Sequence, residues 1–222
     1  MIHISLSRHW RNSAKGMITC LAVSCVLLLT GCGKGEKQKA IFYPMDSLID
    51  HQIAYLKKTK ASLKKTATLD GKADTKMISP ATSSDTIPWI HELGVFKEIN
   101  LINKPANEKE YLVDDNLTDP RSNLKVKAFT ARPDSSSGNA NLQVKYLRIY
   151  YHDSIDRVRR IEAEMDIKTS LYESARFLEM EFQDINDTVV LTSYTVNGGQ
   201  KINLGDTVEY KVQGVITIPN EE

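Results

Sequence analysis

From residue 123 the apolar positions fall two apart. Leu124, Val126 and Ala128 alternate with lysines, Leu142, Val144 and Tyr146 follow, and Ile161, Ala163, Met165 and Ile167 leave Glu162, Glu164 and Asp166 on the opposite face. Leu178, Met180 and Phe182, then Val190, Tyr194 and Val196, then Val208, Tyr210 and Val212 through Ile216 and Ile218 complete the series. Period two with one apolar face describes half-buried antiparallel strands. Turn-forming residues separate them at 133–138, 153–154, 184–187 and 197–199. A bulge is expected at Leu147 and Arg148, where the alternation slips. No helix-length segment remains between strands, so parallel crossovers are not expected.

Before residue 123 the period is helical. Met45, Ile49, Ile53 and Leu56 predict a helix over about 45–59, capped by Asp46 or Ser47. Leu63 to Ile78 reads as a polar edge hairpin around Asp70 and Gly71, a pair suited to the positive φ of a type I′ turn. Trp89, Ile90, Leu93 and Phe96 predict a second helix over about 86–102, opening at Thr86 to Pro88 and stopping before Lys104 and Pro105. Tyr111 to Val113 is a short apolar segment before an acidic loop, Asp114 to Asp119. The expected fold class is α+β: an antiparallel β-meander of about six strands over 123–218, packed on one or two N-terminal helices, in a single domain spanning 41–222.

The first forty residues have a different character. Arg8, Arg11 and Lys15 precede 18 uncharged residues, 16–33, with an apolar centre at Leu21 to Leu29. Basic segment followed by short apolar run is the pattern of a secretory signal, here 1–31, rather than a membrane helix. Leu29-Thr30-Gly31-Cys32 resembles the lipobox of bacterial lipoproteins. That resemblance implies cleavage before Cys32, a diacylglycerol thioether on its sulfur and an acylated amine. Several acyl chains anchor stably where one is marginal, at about 0.8 kcal/mol per buried methylene. Residues 32–40, polar and glycine-bearing, are expected to be a flexible tether. Gly33 after the cysteine, and lysines rather than acids behind it, resemble lipoproteins held in the outer membrane facing the periplasm. The opening Ile41-Phe42-Tyr43-Pro44 through Gln52, followed by the Asp70-Gly71 hairpin, resembles a group of Bacteroidota lipoproteins; this implies habitat and architecture, and no activity.

Composition narrows the chemistry. With Cys20 and Cys25 in the signal and Cys32 acylated, the mature chain keeps no free thiol, which removes disulfides, cysteine metal sites and a cysteine nucleophile. A formal net charge of +1 offers no field for nucleic acid, and no nucleic-acid partner is expected. The charge is unevenly placed: residues 33–79 carry ten lysines against five acids, whereas 80–222 carry 16 basic and 23 acidic residues. Lysines beside a lipid anchor suit anionic headgroups, or simply solvate an outer face.

Catalytic motifs are incomplete. His91-Glu92 is followed by Val95 where a zinc-binding H-E-x-x-H has its second histidine. His51 and His152 stand alone, the latter beside Asp153, and there is neither a nucleophile elbow nor a phosphate-binding loop. The oxygen-rich stretches 114–119 and 184–187 lack the glycine and distal glutamate of an EF-hand. Glu162, Glu164, Glu179 and Glu181 are expected to cross-pair with Arg157, Arg159, Arg160 or Lys211. No catalytic, metal or cofactor residue is therefore assigned, and Cys32 is the one modification site. Asp-Ser or Asp-Thr before an apolar residue, at Asp46, Asp85, Asp153, Asp187 and Asp206, resembles the O-glycosylation sequon of Bacteroidota envelope proteins, and equally suits caps and turns.

Two functions follow as expectations. One is a membrane-anchored periplasmic lipoprotein, non-enzymatic, binding an envelope protein or an apolar ligand on the concave face of its sheet; a curved sheet over a helix resembles the carriers of outer-membrane lipoproteins, whose cavity holds acyl chains. The alternative is an envelope hydrolase using a carboxylate and a histidine, such as Asp153 and His152.

Overall fold

The computed structural model describes residues 42–79, 88–107, 109–133, 142–202 and 205–219. Residues 1–41, where a signal segment, a lipobox at Cys32 and a tether are expected, lie outside them.

Helix α1 (Met45–Lys58) leads into the hairpin β1 (Ser62–Leu69) and β2 (Lys72–Ile78). Helix α2 (Trp89–Lys97) continues into a 3₁₀ turn, Glu98–Asn103. Seven strands follow: β3 (Tyr111–Thr118), β4 (Lys125–Ala131), β5 (Val144–Tyr151), β6 (Val158–Lys168), β7 (Tyr172–Ile185), β8 (Thr188–Ile202) and β9 (Thr207–Thr217). They form one antiparallel sheet in the order β2-β1-β9-β8-β7-β6-β5-β4-β3.

The sheet has nine strands rather than six. Strands β4 to β9 occupy the stretch where six were expected, and each edge is extended. The 63–78 hairpin pairs through β1 with β9, from Ser62 opposite Thr217 to Leu69 opposite Tyr210. At the other edge, the segment read as an acidic loop is strand β3. As an edge strand exposed along most of its length, it has no buried face to impose alternation, and a register shift between Asp114 and Leu117 breaks what pattern remains. The β5 irregularities lie between Val144 and Tyr146 and between Tyr150 and Tyr151, not at Leu147 and Arg148.

Helix boundaries also differ from expectation. Pro44 precedes α1 and no side chain caps it; Asp46 sits inside the first turn, where its charge meets the positive end of the helix, and accepts a 2.6 Å bond from Asn100 Nδ2. Helix α2 begins after Pro88, and its last stretch tightens to 3₁₀ geometry; Thr86 lies outside the described residues. At the β1–β2 turn, Asp70 and Gly71 have φ of 45° and 80°, as the type I′ reading requires.

Both helices lie on one face of the sheet. Met45, Ile49 and Leu56 of α1 and Trp89, Leu93 and Phe96 of α2 are closed to solvent, as are Leu147, Ile161 and Met180 beneath them. Each such side chain contributes roughly 1.5–3 kcal/mol by leaving water. The helices are also tied to each other, by Lys97 to Asp50 at 2.5 Å and by Asn103 Nδ2 to the Tyr43 carbonyl at 2.7 Å. Among the described residues no helix is long and apolar enough to cross a membrane.

Candidate functional site

The three histidines of the folded region do not converge. His51 is exposed on α1, His91 on α2 and His152 in the β5–β6 turn beside an exposed Asp153. The oxygen-rich segments use their carboxylates locally: Asp115 pairs with Lys127 at 2.9 Å, Asp184 with Arg159, and Asp187 reaches Arg157 at 3.8 Å. Among the described residues no group of three or more His, Cys, Asp or Glu is placed to hold a metal ion. Four of the five Asp-Ser/Thr pairs are exposed, at Asp46, Asp153, Asp187 and Asp206; Asp85 and Thr86 lie outside the described residues.

Beneath α1 the sheet is closed. Of five surface openings of 180 to 410 Å³, none is lined by the core residues Ile49, Ile53 or Leu56 of α1. One opening of about 220 Å³ lies along α2, between Glu92 and the strands β1, β8 and β9. Here Lys65 Nζ meets Glu92 Oε1 at 2.7 Å, and the Tyr194 hydroxyl donates to the same oxygen. Burial first, and the Glu92 bond second, push the Tyr194 hydroxyl well above the usual phenol range. It is thus held as a neutral donor. Tyr194 owes its position to Gly214 on the neighbouring strand: a Cβ there would lie 2.1 Å from the ring. Two same-face rungs along, Arg176 binds Glu98 at 2.7 and 3.4 Å. Lys65, Glu92 and Arg176 are each engaged by another protein group, which ties α2 to the sheet, and the exposed His91 also lines the opening.

The face without helices is chemically richer. Register places Tyr150, Arg160, Glu181 and Ser193 in one row across β5 to β8, and Arg148, Glu162, Glu179 and Thr195 in the next. Tyr150 donates to Glu162 Oε2 at 2.7 Å, Arg160 approaches the same carboxylate at 3.1 Å, and its guanidinium lies 4.0 Å from the Tyr150 ring centre. Arg148 covers Tyr146 at 4.9 Å. Leu124, Val126 and Tyr150 form a small apolar cluster of their own on this face, apart from the main core.

The expected cross-pairing of acids and arginines is only partly present. Arg160 serves Glu162 from its own strand and Asp119 at 3.5 Å from a loop, while Glu162 and Glu179 are direct cross-strand neighbours. Burial, reinforced by Glu181 and Glu162, raises the Glu179 carboxyl above its ordinary value. Asp119 is lowered, chiefly by the hydroxyl of Ser122 bonded to it at 2.5 Å. Period-two spacing showed which residues share this face. It did not show the Tyr–Arg stacks, which depend on cross-strand register.

No family model, no curated protein and no solved structure matches the chain.

Proposed function

We propose that the chain is a lipid-anchored periplasmic lipoprotein, acylated on Cys32 and held in the outer membrane, whose folded part is a non-enzymatic module that binds an envelope protein. The Leu29-Thr30-Gly31-Cys32 box supports the anchor. The helix-free face of the sheet supports the binding role and is the single observation that carries it. Tyr146, Tyr150, Arg148 and Arg160 lie there together, with the half-exposed Leu112 and Leu117 on the adjoining edge strand β3. Aromatic residues and arginine beside apolar surface are the composition enriched where proteins meet. An acyl chain lodged between α1 and the sheet finds no support where Ile49, Ile53 and Leu56 are buried, and hydrolysis finds none in three exposed histidines on different elements.

The test is photo-crosslinking in the native envelope. A benzophenone amino acid replacing Arg148 is expected to give a discrete protein adduct, and the same group replacing His51 on the helix side is expected to give none. Adducts of equal yield from both positions, or none from Arg148, would overturn the assignment of the face.

A further inference from the structure

The stretch from His51 to Leu69 contains five lysines and no acid. The fold sets it at one end of the sheet: Lys57 and Lys58 end α1 on the helix side, Lys60 lies in the connection, and Lys64, near the start of β1, lies on the helix-free face opposite the buried Leu63. All four are exposed, and none has a salt bridge among the described residues, whereas Lys65, the fifth, is occupied by Glu92. Register sets Lys64 between Met77 of β2 and Val215 of β9 on the same face. These two are unusually open for apolar residues, Met77 at 64% and Val215 at 52%. Unpaired cations around exposed apolar side chains are what an anionic bilayer surface attracts and then accommodates.

We infer that this end of the sheet is a second membrane contact, in which Lys57, Lys58, Lys60 and Lys64 bind the phosphate groups of anionic phospholipid while Met77 and Val215 enter the headgroup layer. The inference rests on the lipoprotein reading only for bringing the domain to a bilayer. Chain geometry permits both contacts. The ten residues 32–41 reach at most ~35 Å, and α1, which separates the tether entry from the lysines, is ~21 Å long. Val215 shares its row with Ser193, Glu181, Arg160 and Tyr150, so this contact uses the β1–β2 end of the helix-free face, five strand intervals or ~24 Å from β5.

The experiment uses the full chain, purified from membranes and reconstituted, with a benzophenone amino acid replacing Met77. We expect lipid adducts in vesicles of phosphatidylcholine with phosphatidylglycerol, and few in phosphatidylcholine alone or in high salt. Each lysine favours the surface by roughly fivefold, so the quadruple change Lys57→Gln, Lys58→Gln, Lys60→Gln and Lys64→Gln should lower the yield at least tenfold. The corresponding four arginine substitutions should restore it, which separates charge from misfolding. Adduct yields independent of phosphatidylglycerol, or unchanged in the glutamine variant, would overturn the inference. Mass analysis of Cys32 in the same sample reports the anchor separately. Adducts without acylation would retain the contact and remove the lipoprotein reading; acylation without adducts would do the reverse.

Discussion

Gln52 is bonded from inside the core to the backbone of Leu191: its Oε1 accepts the Leu191 amide at 2.8 Å, and its Nε2 donates to the Val189 carbonyl at 3.0 Å. Strand β8 begins at Thr188, but its pairing with β9 starts only at Ser193. Residues 189–191 therefore have one edge without a strand beside it. The side-chain amide of Gln52, 4% exposed, takes that strand's place and joins α1 to the sheet by the same two bonds.

Removing this amide leaves a buried donor and a buried acceptor unpaired, each costing about 1–3 kcal/mol. Gln52→Leu, similar in volume, should lower unfolding free energy by about 2–4 kcal/mol. Gln52→Ala adds a cavity and should cost more. Urea denaturation followed by circular dichroism measures both. A loss below about 0.5 kcal/mol for Gln52→Leu would show that the two bonds contribute little.

Tyr194 and Gly214 form a matched pair. Gly214→Ala drives a methyl into the Tyr194 ring, and overpacking of this kind costs about 1–3 kcal/mol. Tyr194→Phe removes the bond to Glu92 and should cost about 1 kcal/mol. If the clash is the cause, Gly214→Ala should cost distinctly less in a Tyr194→Ala background than in the wild type. Additive losses in that double-mutant cycle would place the strain elsewhere.

Glu179 carries a pH dependence whose sign is set by its raised carboxyl. The folded state holds the proton more tightly than the unfolded chain, so this group favours folding at low pH, and the contribution fades as pH rises through the folded-state value. Glu179→Gln should therefore raise Tm at pH 7, and the gain should vanish below about pH 4, where both states are protonated. A variant equally stabilised at both pH values would assign the effect to packing.

The elements were legible where burial is one-sided. Met180 and Ile161 are buried while Glu179 and Glu162 are not, and such contrast marks a strand directly. Helix α1 was visible because Ile49, Ile53 and Leu56 repeat at the helical period over a single core face. Edge strand β3 was hidden because solvent reaches both of its faces, leaving Asp114 and Asp115 with no reason to alternate. The union of hairpin and meander was hidden too, for it depends on Leu63 lying beside Ile216, a pairing of distant residues that local pattern does not encode. For the same reason the Tyr194–Glu92–Lys65 lock, the Arg160–Tyr150 stack and the role of Gln52 emerge only once register is known.

The most direct measurement of the proposed anchor is the incorporation of labelled palmitate by the wild type and by Cys32→Ala. We expect label on the wild type at an amino terminus beginning with Cys32, and none on the variant. Palmitate absent from the wild type, or present equally on Cys32→Ala, would contradict the lipoprotein assignment.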